Sequence, residues 1–232
     1  DPYVPAYKIG SGDITWIDMI EYIASKGKPY IIASGASNID DVRRAVDAGI
    51  ALNEKICLMQ CNTNYTASLD NFKFINLNVL KTFSKIYPEV ILGLSDHTPG
   101  HATVLGAVTL GAKMIEKHFT DNNLREGPDH KFSMDPNSWC EMVDRTRELE
   151  NAIGQGNKII EENEKQTVIL QRRSIRLTSD LKSGSKILSK HLEFLRPCPS
   201  DGIPPYKVKN VIGKRLLKDM RAGGHLKWAD IE

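Results

Sequence analysis

Val90-Ile91-Leu92-Gly93-Leu94-Ser95-Asp96-His97-Thr98 and, one repeat later, Lys113-Met114-Ile115-Glu116-Lys117-His118-Phe119-Thr120-Asp121 follow one plan. In each, a short apolar run breaks into polar residues that set an imidazole beside carboxylates. Between them, Gly100 to Gly111 alternates small and apolar residues at helical spacing. The pattern therefore reads as strand, helix, strand, with both histidines just past the carboxyl ends of neighbouring parallel strands. One such histidine would be read as a structural residue hydrogen-bonded in a loop. Two at equivalent positions, each flanked by acids, point to a metal site. Neutral imidazole with oxygen donors suits a borderline divalent ion such as Mn²⁺, with Asp96 and Glu116 near enough in sequence to orient or share the coordination.

Working outward, the same alternation continues in both directions. Ala6-Tyr7-Lys8-Ile9 reads as a strand, Trp16 to Ser25 as a helix, Tyr30 to Ala33 as a strand, Ile39 to Ala48 as a helix behind an Asn38 cap, and Lys55 to Cys61 as a strand. A helix over roughly 76–86 precedes the first histidine strand, and a long helix, Asn137 to Ala152, follows the second. Such alternation calls for a parallel sheet. Five strands are too few for a closed eight-stranded barrel, so the reading is either an open doubly wound sheet or a barrel from which about three βα units are missing upstream. The α/β unit is assigned to residues 1–154. A polar stretch rich in Glu, Asn and Lys then reads as a linker (155–168), and residues 169–232 as a compact, loop-rich, mostly β domain. Within that last part, Lys218-Asp219-Met220-Arg221-Ala222-Gly223-Gly224 is similar to Asp180-Leu181-Lys182-Ser183-Gly184.

Composition narrows the function classes. A chain of 232 residues, 41% apolar and 26% charged, can bury one sizeable core and a small second one. No run approaches the roughly 18 to 20 apolar residues that span a bilayer. The four cysteines lack metal-finger spacing and the density of a disulfide framework, which fits reduced thiols and a cytoplasmic location; Cys57 and Cys61 read as core fillers. Fourteen Lys and Arg stand against six Asp and Glu from Thr167 onward, and 17 against 23 before it. The basic residues are scattered without interleaved aromatics, so a nucleic-acid surface is not expected.

Loops after successive strands carry Lys8 with Ser11 and Asp13, Ser34-Gly35, Asn62-Thr63-Asn64-Tyr65, Ser95-Asp96-His97, and Glu116 to Asp121. Turn chemistry explains the Gly, Ser, Asn and Asp residues as well as a barrel active site does. It does not explain the Lys and His residues. Lys8 lies in an otherwise apolar strand, where a buried ammonium needs an anion. A phosphate or carboxylate ligand would supply one, with Ser11 as a further donor; Asp13 is the alternative partner. Gly10-Ser11-Gly12 lacks the ending of a P-loop. Asp129, in the loop Arg125 to His130, either binds substrate hydroxyls or caps a turn. Pro99-Gly100 separates His97 from His101, which is left out of the metal set.

With these residues assembled, the chain resembles the sialic acid synthase family. The motifs are Tyr7-Lys8-Ile9-Gly10-Ser11-Gly12-Asp13, Gly93 to Thr98, Glu116 to Asp121, Gly127-Pro128-Asp129 and, near the end, Leu195-Arg196-Pro197, similar to the family's antifreeze-like (SAF) domain. The resemblance implies a (β/α)₈ barrel plus a SAF domain, in a homodimer whose SAF domains cover the partner's site. It implies condensation of phosphoenolpyruvate with N-acetylmannosamine, using Mn²⁺ or Mg²⁺ and releasing phosphate; composition gives no sign of a nucleic-acid or membrane partner. Carried over by motif, His97 and His118 would bind the metal. Lys8, Ser11 and Ser95 would hold phosphoenolpyruvate, and Ser34 and Thr63 would belong to the substrate contacts. Glu116, Asp129 and Tyr65 would line the sugar site, Glu116 and Asp13 being the catalytic acids, and Arg196 would reach the sugar from the partner subunit.

The chain departs from the family at Ala33-Ser34-Gly35-Ala36 (commonly Ser-Thr-Gly-Met) and at Cys61-Asn62-Thr63-Asn64-Tyr65-Thr66 (commonly Cys-Thr-Asn-x-Tyr-Pro). Thr63 thus replaces an Asn in the sugar pocket. A legionaminic acid synthase using a 2,4-diacetamido-trideoxy sugar is the close alternative. A synthase acting on a phosphorylated sugar would want an added cation cluster, and an ice- or glycan-binding module is the non-enzymatic alternative. Because the family's first barrel strands have no counterpart in this sequence, the chain by itself is expected to be inactive.

Overall fold

The computed structural model describes residues 1–232 as two compact units, Asp1–Gly156 and Asn157–Glu232. In the first, β1 (Tyr7–Ile9), α1 (Ile17–Ala24), β2 (Tyr30–Ala33), α2 (Ile39–Ile50), β3 (Ile56–Cys61), α3 (Val79–Ile86), β4 (Ile91–Asp96), α4 (Ala102–Thr109), β5 (Met114–Lys117) and α5 (Pro136–Ile153) follow in turn. All strand pairs are parallel, in the order β1-β2-β3-β4-β5. This order has no switch point, which a doubly wound sheet requires. With right-handed crossovers it places the connecting helices, α1 to α4, on one face. One buried cluster shows this directly, joining Ile20, Val42, Val46, Leu80, Phe83 and Ala107 of the helices to Ile9, Tyr30, Ile32, Ile56, Leu58, Leu92 and Leu94 of the strands.

The other face of the sheet carries Lys8, Cys57, Met59, Cys61, Gly93, Ser95 and Glu116, the alternate strand positions. A flat sheet would hold β1 and β5 about 19 Å apart at ~4.8 Å per strand. Yet Lys8 Nζ of β1 lies 2.6 and 2.5 Å from the two carboxylate oxygens of Glu116 on β5. The sheet is therefore curled like part of a barrel wall, and this face is its concave side. The open doubly wound alternative is excluded by strand order, whereas a closed barrel is not formed by these five strands.

Local chemistry sets the element ends. The Asn38 side chain accepts from the Asp40 and Asp41 N–H groups, and the Asp41 carboxylate accepts from the Asn38 N–H, a reciprocal cap on α2. Asp135 and Ser138 do the same for α5, with Pro136 in its first turn. The third helix starts at Val79, three residues later than its periodicity suggests, because Asn76 has φ 49° and cannot be helical. Both histidine strands run past their apolar residues, β4 to Asp96 and β5 to Lys117.

The second unit has its own core of Ile175, Leu177, Ile187, Ile203, Val211, Leu216 and Leu226. The polar stretch read as a linker contains a 3₁₀ turn, Glu162–Glu164, running into α6 (Lys165–Gln171). Strand β6 (Ser174–Leu177) pairs antiparallel with β7 (Leu192–Leu195), and a short helix, α7 (Val208–Val211), follows. The two similar segments of this unit meet. Leu181 and Met220 each donate the backbone N–H to the other's carbonyl at 2.9 Å. Each is followed by a glycine in the left-handed region, Gly184 at φ 81° and Gly223 at φ 76°.

Candidate active site

Side chains from β1, β3, β4 and β5 and the loops after them, with the Gly35 N–H after β2, converge on the concave face. The Lys8–Glu116 ion pair spans it, both side chains a little over a third exposed. Lys8 thus pairs with Glu116, not with Asp13, which is exposed on the 3₁₀ turn Ser11–Asp13. Burial alone would raise the Glu116 carboxyl, but the Lys8 ammonium bonded to both oxygens holds it below the usual carboxylate range.

Next to this pair stand the two imidazoles, ring centres 5.0 Å apart. Tyr65 packs on both, at 4.4 Å from His97 and 5.7 Å from His118, and buried Phe132 lies beneath them. His97 Nδ1 is 3.0 Å from the Asn62 carbonyl. A carbonyl only accepts, so Nδ1 carries the proton and the lone pair sits on Nε2. His118 Nδ1 is 3.4 Å from Asp129 Oδ2. The Asp129 carbonyl is itself fixed, accepting from the N–H and hydroxyl of Ser133. Burial, then the neighbouring His97, hold the His118 imidazole below its ordinary range.

A third cluster gathers Ser11, Gly35, Cys61 and Thr63. The Gly35 N–H donates to Ser11 Oγ at 3.0 Å, and Cys61 Sγ lies 3.7 Å from Thr63 Oγ1. A Cβ on Gly35 would sit 1.8 Å from Thr63 Oγ1 and 2.7 Å from Ser11 Oγ, so only glycine allows the approach. Burial would raise the Cys61 thiol, but the polar groups of His97, Ser11, Ser95 and Thr63 around it draw it down. Reciprocally, burial would lower His97, and Cys61 lifts it.

Of the residues singled out by sequence, Lys8, Ser11, Thr63, Tyr65, Ser95, Glu116, His97, His118 and Asp129 thus fall in one region. Ser34 is turned the other way. Its buried hydroxyl donates to the Met59 carbonyl and lines a cavity of about 660 Å³ bounded by α2 and α3. Arg196 belongs to the second unit, where its exposed side chain donates from Nε to the Gln171 carbonyl, ahead of a cis bond to Pro197.

Two sequence readings need correction. Asp96 does not share a coordination sphere with the histidines. As its strand alternates, its carboxylate falls on the helix side, bonded to Lys117 with neither side chain more than 1% exposed. Cys61 is more than a core filler, since it touches His97 and Thr63. Its position at the polar end of a strand was the available signal. Lys117 carried none, because one charged residue in a short run does not reveal its face.

The imidazole pair fits a divalent ion by donor chemistry. One nitrogen of His97 donates to a carbonyl, which fixes the lone pair on the other as the donor a metal ion would use. No group of three or more His, Cys, Asp or Glu side chains is gathered into a metal cluster anywhere in the chain. Within this chain, the two imidazoles are the groups that would hold such an ion.

Strands delivering polar side chains to the carboxyl-end, concave side of a singly wound sheet place this site where barrel folds gather their functional residues. The chain belongs to the NeuB family, whose pattern matches residues 1–158, and residues 172–232 match the SAF domain. It is 38% identical over 234 residues to the N,N'-diacetyllegionaminic acid synthase of Legionella pneumophila, covering 99% of this chain and 64% of that protein. It is 30% identical to the human N-acetylneuraminate-9-phosphate synthase, covering 92% and 58%. Among solved structures, the spore coat polysaccharide biosynthesis protein SpsE of Bacillus subtilis superposes with a TM-score of 0.59 at 30% identity, covering 98% of this chain and 67% of that one. The chain thus spans about three fifths of the length of these curated relatives.

Proposed function

We propose that this chain is the site-bearing portion of a nonulosonic acid synthase that condenses phosphoenolpyruvate with an N-acylated amino sugar and water, releasing phosphate. The observation that carries it is the concave face itself, where the Lys8–Glu116 pair lies beside two ligand-ready imidazoles.

Lys8 would exchange Glu116 for the phosphate or carboxylate of phosphoenolpyruvate, with the Ser11 and Ser95 hydroxyls as donors. Glu116, released from Lys8, would accept from a hydroxyl of the sugar, and Asp129 and Thr63 would fix its orientation, with Tyr65 covering the site. The enol carbon attacks the open-chain aldehyde, water adds at the resulting cationic carbon, and phosphate leaves. Holding both substrates in one orientation supplies much of the rate. Mn²⁺ or Mg²⁺ held by His97 and His118 would supply Lewis-acid polarisation of the aldehyde oxygen. Asp13 is proposed as a second acid at the rim. Arg196 is proposed to reach the sugar in the partner subunit of a homodimer, and Ser34 to act by supporting β3 from behind. A cytoplasmic setting follows from the substrate, and no helix is long and apolar enough to cross a membrane.

N-acetylmannosamine and a 2,4-diacetamido-trideoxy sugar are both acceptors of this class. The 38% identity to a legionaminic acid synthase, with the altered loop Asn62 to Thr66, supports the second. Mass spectrometry of the product separates them. The full-length protein is given phosphoenolpyruvate, Mn²⁺ and each sugar in turn, and the expected product has the mass of sugar plus phosphoenolpyruvate plus water less phosphoric acid. Formation of neither product overturns the proposal.

A further inference from the structure

Behind the concave face lies a second set of charges that the chemistry above does not use. Asp96 ends β4 and Lys117 ends β5, and the two are direct partners in the register of the sheet. Lys117 Nζ lies 2.6 Å from Asp96 Oδ2, with side chains 1% and 0% exposed. The same carboxylate accepts from the Thr98 N–H at 3.1 Å, from Thr98 Oγ1 at 2.9 Å to each oxygen, and from Thr103 Oγ1 at 2.6 Å. Lys117 Nζ also donates to the Thr98 carbonyl at 2.6 Å.

Stability alone does not explain such a network. Taking two charges out of water costs several kcal/mol per ion, and well-packed apolar residues of similar volume are often as stable or more so. The network differs from apolar packing in direction. Every bond ends on Asp96, Thr98, Thr103 or Lys117, which are the residues on either side of His97, the first turn of α4, and the residue before His118. Charged, directional bonds allow one register of β4 against β5, whereas apolar contacts tolerate small slides.

We propose that Asp96 and Lys117, with Thr98 and Thr103, form a positioning clamp that sets the mutual placement of His97 and His118 and thereby the divalent-cation affinity of the imidazole pair. The clamp rests on the metal reading of those histidines given above. None of its four residues touches the ion.

The test titrates Mn²⁺ into the full-length protein and reads free Mn²⁺ by electron paramagnetic resonance, with thermal unfolding recorded on each variant. Removing both charges, Asp96→Leu with Lys117→Met, leaves no stranded ion, and this variant is expected to melt within a few degrees of the parent. Its Mn²⁺ dissociation constant is expected to rise by about 10- to 100-fold, as when partners of metal ligands are removed. A folded double variant with affinity within about twofold of the parent would overturn the clamp. Should the double variant not fold, Thr103→Val, which removes the hydroxyl's bonds to Asp96 and to Thr98 Oγ1 and strands no charge, is expected to weaken Mn²⁺ by roughly threefold or more with an unchanged melt. Unchanged affinity there overturns the clamp as well. His97→Ala distinguishes the two layers of inference: if it leaves Mn²⁺ affinity intact, the metal reading itself falls, and the clamp with it.

Discussion

A Cβ on Gly93 would lie 2.7 Å from the Met114 carbonyl oxygen and 2.8 Å from Met59 Cγ, which neighbouring strands cannot both concede. Gly93→Ala is therefore expected to cost about 1–3 kcal/mol by urea denaturation; an unchanged midpoint would show that the curl is looser than described. The Lys8–Glu116 pair behaves oppositely, since its members are over a third exposed and solvent screens them. Glu116→Gln is expected to change stability by less than about 1 kcal/mol while lowering phosphate release by about 100-fold or more. Equal loss of both would make the pair structural. Burial pushes Cys57 and Tyr30 up to about 12. Each stays neutral in the fold after its unfolded counterpart has begun to ionise, so stability is full below the unfolded pKa of about 9 to 10 and is lost as pH rises toward 12. The urea midpoint should fall between pH 9 and 11, and less so in Cys57→Ala. At this scale the histidines, Lys8 and Glu116 were legible because each breaks an apolar run with a group that turn chemistry does not require. Cys61 and Lys117 were not, because the face a strand residue takes depends on register with partners far away in sequence.

The elements followed from periodicity and caps. Asn38 and Asp41 satisfy three backbone or side-chain bonds at the start of α2, and Asn38→Ala should cost about 1 kcal/mol with Asn38→Gly costing only a few tenths. Equal losses would contradict the side-chain cap. The type and order of the elements of the first unit were readable because short apolar runs alternate with longer, mostly amphipathic segments between turn residues. Their ends were less so, for physical reasons. Asn76 in the left-handed region delays α3, and β4 and β5 run on into charged residues because Asp96 and Lys117 neutralise each other across the ladder. Helix α6 was masked by the polar composition of the stretch around it.

For the whole molecule, sequence left a choice between an open doubly wound sheet and part of a barrel, since both are written in the same alternation. Strand order and the contact between the first and last strands decide it, and neither is a local property. The second unit has a separate buried core, so residues 157–232 are expected to fold when expressed alone, giving a dispersed amide spectrum and one cooperative melt. A collapsed spectrum would mean that its core depends on the rest of the protein. The central claim, that the concave face runs a phosphoenolpyruvate condensation through its histidines, is tested most directly by phosphate release. Full-length protein with phosphoenolpyruvate and Mn²⁺ should release phosphate only when N-acetylmannosamine or the 2,4-diacetamido-trideoxy sugar is added, and His97→Ala should abolish it. Release that ignores the sugar, or that survives loss of His97, would contradict it.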